Sequence, residues 1–94
     1  MIQADGARLS LSGPLTIATV AALAAAGREQ VAGGDRVVDL SGVTQVDSAA
    51  LALLLSWLRT SRAAGRQLSI DHAPEALVSL ASLYDVDSIL SLAR

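Results

Sequence analysis

The chain contains no cysteine and no lysine, and its aromatics amount to one Trp and one Tyr, with no Phe. Each absence removes a class of chemistry. Without Cys there is no disulfide framework, no thiolate nucleophile and no Cys-ligated metal. Without Lys there is no P-loop lysine for nucleotide phosphates and no amine for a Schiff base. All seven basic residues are Arg. A single His, His72, excludes a multi-histidine zinc site, and no metal or cofactor is expected. The formal net charge of −2 argues against general nucleic-acid binding.

Long hydrophobic runs are also missing. The longest apolar stretch, Ala49–Leu58, is interrupted by Ser56 and falls short of the roughly 20 residues a membrane span needs. Met1–Gly6 carries no basic segment, and Asp5 stands where an apolar signal core would begin. The expectation is a cytoplasmic domain over residues 1–94 that does not itself insert into a membrane. Its hydrophobic content is nevertheless 52%, made largely of Ala and Leu, which suggests close association with an apolar or membrane-bound partner.

Periodicity places the elements. Met1–Ala4 and Ala7–Ser12 flank Asp5-Gly6, a hairpin signal, and Gly13-Pro14 should end the second strand. Thr16–Gly27 has helical spacing with Thr16 as a cap, and Arg28–Val31 can extend it. Arg36–Leu40 reads as a buried strand and Ser41–Val46 as a loop. A long helix, Ala49–Ala64, stops at Gly65, and Gln67–Asp71 is a further strand. Pro74 and Glu75 open another helix with Leu77, Leu80, Ala81 and Tyr84 inward, and Asp87 or Ser88 starts a last turn. The order β β α β α β α α implies an α/β fold, a mixed, partly parallel four-stranded sheet with helices packed on it.

The helix Ala49–Ala64 carries the candidate site. At about 100° per residue, Leu51, Leu54, Leu55 and Leu58 form one stripe facing the sheet. Leu53 and Trp57 fall on the other side, near Ala49 and Ala50. An exposed Leu–Trp pair among small residues is expected to be a docking anchor; the alternative is that the pair packs beneath the first or last helix. Asp47 or Ser48 caps the helix, and Ser48 is also a candidate contact or phosphorylation site. Arg59, Arg62 and Arg66 have helix-like spacing and suit a solvated face or an acidic partner. A hydrolase built from Ser48, His72 and Asp39 lacks any nucleophile elbow or oxyanion signature, and no catalytic residue is expected.

The strand Val37-Val38-Asp39-Leu40-Ser41-Gly42-Val43, followed by Val46-Asp47-Ser48 and Leu51, resembles the core of a STAS domain over essentially the whole chain. Two branches of that family are relevant. In the anti-sigma factor antagonists, the resemblance implies a second hydroxyl, phosphorylated by a partner serine kinase, at the position held here by Ala49. The other branch is the MlaB-type cytoplasmic subunit of the Mla phospholipid ABC transporters. Val46-Asp47-Ser48-Ala49-Ala50-Leu51-Ala52-Leu53-Leu54-Leu55 and Leu80-Ala81-Ser82-Leu83-Tyr84 are similar to the patterns of that branch. The resemblance implies a non-enzymatic accessory subunit of a transporter that maintains outer-membrane lipid asymmetry. Its partner would be the transporter ATPase, through which it reaches the permease at the inner membrane. Ser48 would take the place of the family's functional hydroxyl. Asp47, Ser48, Ala49, Ala50, Leu53 and Trp57 are accordingly the expected partner-binding residues.

Overall fold

A computed structural model describes residues 1–92. The chain begins with a hairpin: β1 (Ile2–Asp5) turns through Gly6, at φ +61°, into β2 (Arg8–Leu15). Helix α1 (Val20–Gly33), β3 (Arg36–Val46), α2 (Ser48–Ala63), β4 (Leu68–Asp71), α3 (Glu75–Leu83) and α4 (Asp87–Leu90) follow. The sheet order is β1-β2-β3-β4; the first pair is antiparallel and the other two are parallel. This is the mixed four-stranded sheet and element order that the sequence implies.

Alternation along the strands sorts the two faces. Leu9, Leu11, Val38, Leu40 and Ile70 are buried and face the helices. Their neighbours Arg8, Ser10, Asp39, Ser69 and Asp71 lie on the other, polar face. The molecule is therefore two layers, with one side of the sheet open to water.

Three boundaries differ from expectation, each for a local reason. β3 continues through Ser41–Val46, where a loop is expected. Between Ser10 and Pro14 the pairing shifts register twice, and each time β3 advances one residue more than β2. Such bulges break the period of two, which is why Val43 and Val46 do not alternate like strand residues. Gly42 sits at the first shift, where an added Cβ would lie 3.0 Å from the Leu11 carbonyl oxygen. β2 likewise runs past Gly13-Pro14 to Leu15, with Pro14 at the second shift, a position a proline tolerates. Helix α1 starts at Val20 and not at Thr16. Thr19 Oγ1 accepts from the Thr16 N–H and donates to the Pro14 carbonyl, both at 2.9 Å, closing a turn that delays the helix. α1 then runs through Gly27, the expected stop.

Gly27 remains helical because α2 lies against it. A Cβ there would overlap the Trp57 indole. The Trp57 side chain is fully buried, and its Nε1–H donates to the Ala24 carbonyl of α1 at 3.1 Å. Leu53 is also buried, at 6% exposure. Neither residue is an exposed anchor, which corrects the expectation for both. Their burial follows from the packing: the sheet covers the Leu51–Leu54–Leu58 side of α2, and α1 covers its flank. The buried arc from Leu51 round to Leu53 is about 160° wide, too wide for a helix that touches a sheet alone. Ala50 is fully buried as well, and Ala49 is half-buried.

Candidate functional site

Asp47 follows β3 directly and caps α2. Its Oδ1 accepts the Ala49 N–H at 2.8 Å, satisfying one of the unpaired amides of the first turn. Its Oδ2 accepts the Ile17 N–H at 3.0 Å. One carboxylate thus ties the β2–α1 turn to the start of α2. Asp47 is half-buried and engaged on both oxygens, so its role is to position this end of the molecule and not to act as a free polar contact. The Ile17 side chain, 77% exposed, stands at the same end.

Ser48 is the first residue of α2 and is exposed. Since Asp47 provides the cap, the Ser48 hydroxyl makes no hydrogen bond among the described residues. It opens an apolar groove of about 320 Å³ lined by Ser48, Leu51, Ala52, Leu55, Tyr84 and Val86. The last two come from the link between α3 and α4. α3 closes with the Val86 N–H bonded to the Ala81 carbonyl and the Asp85 N–H to that of Ser82, with Asp85 at φ +60°. This is a Schellman turn, and it swings Tyr84 outward and sets Val86 against α2. Tyr84, expected inside, is 56% exposed, and Leu83 and Ile89 beside it are also exposed.

Of the six expected contact residues, the structure therefore keeps Ser48 on the surface and Ala49 partly so. It turns Asp47 into a structural clamp and places Ala50, Leu53 and Trp57 inside. The surface residues that sequence reasoning missed are Ala52, Leu55, Tyr84 and Val86. Leu55 is only half-buried because it lies at the margin of the core stripe. The signal for Tyr84 was present in Leu80-Ala81-Ser82-Leu83-Tyr84, but helical spacing assigned it inward.

The Ser48–His72–Asp39 constellation is not assembled. His72 Nδ1 does lie 3.1 Å from Asp39 Oδ1, but on the open sheet face. There Arg8 also pairs with Asp39, at 2.9 Å. Ser48 follows the far end of β3, and seven residues of strand separate Asp39 from Val46, on the order of 20 Å. The Asp39 carboxyl is held at about 2, below its ordinary 3.8. The main cause is the Ser41 backbone N–H, 3.0 Å from Oδ1; the Ser41 hydroxyl, His72 and Arg8 act the same way, against the opposing effect of burial. A carboxylate so strongly kept ionised, and paired with Arg, is structural in character.

A family model described as "MlaB, STAS domain" matches residues 1–92. The fold resembles the crystal structure of a candidate anti-sigma factor antagonist from Thermotoga maritima. That likeness has a TM-score of 0.80 at 17% identity and covers 100% of this chain and 85% of that one. It also resembles the anti-sigma factor antagonist SpoIIAA in its unphosphorylated form, with a TM-score of 0.69, 12% identity, and coverage of 88% and 81%. A likeness to Mglu, at a TM-score of 0.61 and 22% identity, covers 80% of this chain and 19% of that longer one. No curated protein sequence gives a match.

Proposed function

The chain belongs to the MlaB-type STAS domain family, and on that premise we propose that it is a non-catalytic accessory subunit of a phospholipid ABC transporter. It docks on the transporter ATPase and supports the assembly or activity of the complex. The observation that carries this reading is the Ser48 hydroxyl, exposed and uncommitted on the first turn of α2, at the head of an apolar groove. A capping serine would be spent on the backbone; here Asp47 does that work. The hydroxyl is left for a partner, and Ala52, Leu55 and Tyr84 offer apolar surface around it. Nucleotide chemistry belongs to the partner, in keeping with a chain that has no lysine.

A second reading is an anti-sigma factor antagonist switched by a serine kinase. It is favoured by the likeness to SpoIIAA and by the position of Ser48, where a phosphate would sit at the positive end of the α2 dipole. Ala49, at the position where that branch carries its second hydroxyl, weighs against it.

Affinity capture of the tagged protein from detergent-solubilised cells, read by mass spectrometry, separates the two. Recovery of an ABC ATPase with its permease is expected. Recovery of a serine kinase without transporter subunits, with a phosphate on Ser48, would replace the transporter reading by the switch. Ser48→Ala should reduce the captured ATPase while leaving the melting temperature unchanged, since its hydroxyl bonds nothing in the fold.

A further inference from the structure

The groove occupies only one end of the outer face of α2. At about 100° per residue, Ser48, Ala52, Leu55, Arg59 and Arg62 fall within about 80° of one another, outside the buried arc and bordering its Leu51 edge. Four of the five are exposed, and Leu55 is half-buried. The strip runs the length of the helix, about 21 Å from Ser48 to Arg62. Its first half is a hydroxyl and apolar side chains. Its second half is cationic.

The cationic half is concentrated by the way α2 ends. Gly65, at φ +72°, closes a second Schellman turn, in which the Arg66 N–H bonds the Ser61 carbonyl at 2.9 Å. This turn brings Arg66 back beside Arg62, and the two line a notch of about 260 Å³ with Leu58, Gln67 and Leu68. None of Arg59, Arg62 and Arg66 forms an ion pair among the described residues, whereas Arg8 on the open sheet face is paired. In a chain of net charge −2, three unpaired cations at one end of one helix are a local reversal of sign. The α2 C-terminal carbonyls account for a favourable place for Arg62, but not for an exposed Arg59 on the same line as the apolar groove.

We propose that the outer face of α2 is a two-part docking strip for an acidic, amphipathic polypeptide segment of the partner. An apolar side chain of that segment packs on Ala52, Leu55 and Tyr84, and a pair of carboxylates engages Arg59, Arg62 and Arg66. The spacing is set by the helix: Arg59 and Arg62 stand about 6 and 10 Å along the axis from Leu55. A helix carrying acidic residues one to two turns from its apolar anchor meets both halves at once. Apolar burial supplies affinity, and the charges supply orientation and rate of encounter. This deepens the docking role proposed above by naming the chemistry of the segment that docks.

The test uses a synthetic amphipathic helical peptide with two leucines followed, one turn later, by glutamates. Its counterpart carries arginines in place of the glutamates. Each is titrated into isotope-labelled protein and followed by NMR. The acidic peptide should shift the amides of Leu55, Arg59 and Arg62 and bind more tightly than the basic one. Raising ionic strength from about 0.05 to about 0.5 M should weaken it, since the strip is exposed. The double variant Arg59→Glu/Arg62→Glu should bind the acidic peptide about tenfold more weakly and turn its preference to the basic one. Arg59→Gln/Arg62→Gln should fall between, with circular dichroism unchanged. Absence of binding at millimolar peptide, or equal binding of the two peptides, overturns the proposal. So does binding to phosphatidylglycerol vesicles without preference for the acidic peptide, which would make the strip a membrane-facing surface. Affinity capture keeps the two proposals apart. If Arg59→Glu/Arg62→Glu recovers the ATPase as well as the wild type does, the strip is wrong and the transporter role stands. If the wild type recovers no ATPase yet binds the acidic peptide selectively, the strip stands and the partner is wrong.

Discussion

Asp47 and Ser48 are neighbours with opposite duties. Asp47 holds α2 and the β2–α1 turn with its two oxygens, so Asp47→Ala should cost about 2 kcal/mol by urea unfolding, a lost cap together with a lost tether. The adjacent serine, whose hydroxyl makes no hydrogen bond among the described residues, contributes nothing comparable to stability. Asp39 gives a pH signature on the other face. Its folded-state value of about 2 lies below the ordinary 3.8, so folding favours its ionised form. The stability it contributes is fully present above the unfolded value and is lost as pH falls from about 4 to about 2. Asp39→Asn should therefore be less stable than the wild type at pH near 6, and the gap should close as the pH falls towards 2, by urea unfolding at each pH.

The pairing of α1 with α2 depends on one glycine. Alanine is ordinarily the better helix former by up to about 1 kcal/mol, so a solvent-facing Gly→Ala change would stabilise α1. At Gly27 the added methyl meets the Trp57 ring. Gly27→Ala should instead destabilise the protein by about 1–3 kcal/mol, the cost of overpacking, and should shift the emission of the single tryptophan to the red as the indole loses its seat. A blue, unshifted emission with raised stability would show that α1 can slide to make room. The same contact accounts for the burial of Trp57: its Nε1–H is already satisfied by the Ala24 carbonyl.

The two layers give the molecule two faces of different chemistry. The helix layer carries the Ser48 groove and the cationic end of α2. The open sheet face carries Arg8, Asp39, Asp71 and His72, a network in which Arg8 pairs with both aspartates and His72 lies beside Asp39. Arg8→Ala removes the cation from both aspartates but lies on the side away from α2. It should leave affinity capture of the partner unchanged and lower stability by less than about 1 kcal/mol, as expected of an exposed pair. Reduced capture by this variant would mean that the sheet face also meets the partner.

Local patterns in the chain determined most of the architecture. The apolar spacing in Ala49–Leu58, the Asp5-Gly6 hairpin signal and the helix starts at Asp47 and Pro74 act over a few residues, so they are readable in order along the chain. The STAS resemblance, too, rests on contiguous residues around Val46-Asp47-Ser48. What only the tertiary structure decided depends on residues far apart in sequence. The burial of Trp57 is set by α1, more than twenty positions away, through the absence of a side chain at Gly27. The extension of β3 is set by pairing with β2 across two bulges, which erases the alternation that marks a strand. The groove exists because a left-handed turn at Asp85 places Tyr84 and Val86 beside α2. Periodicity shows which side of a helix is apolar; only the neighbours that fold against it decide how much of that side is covered.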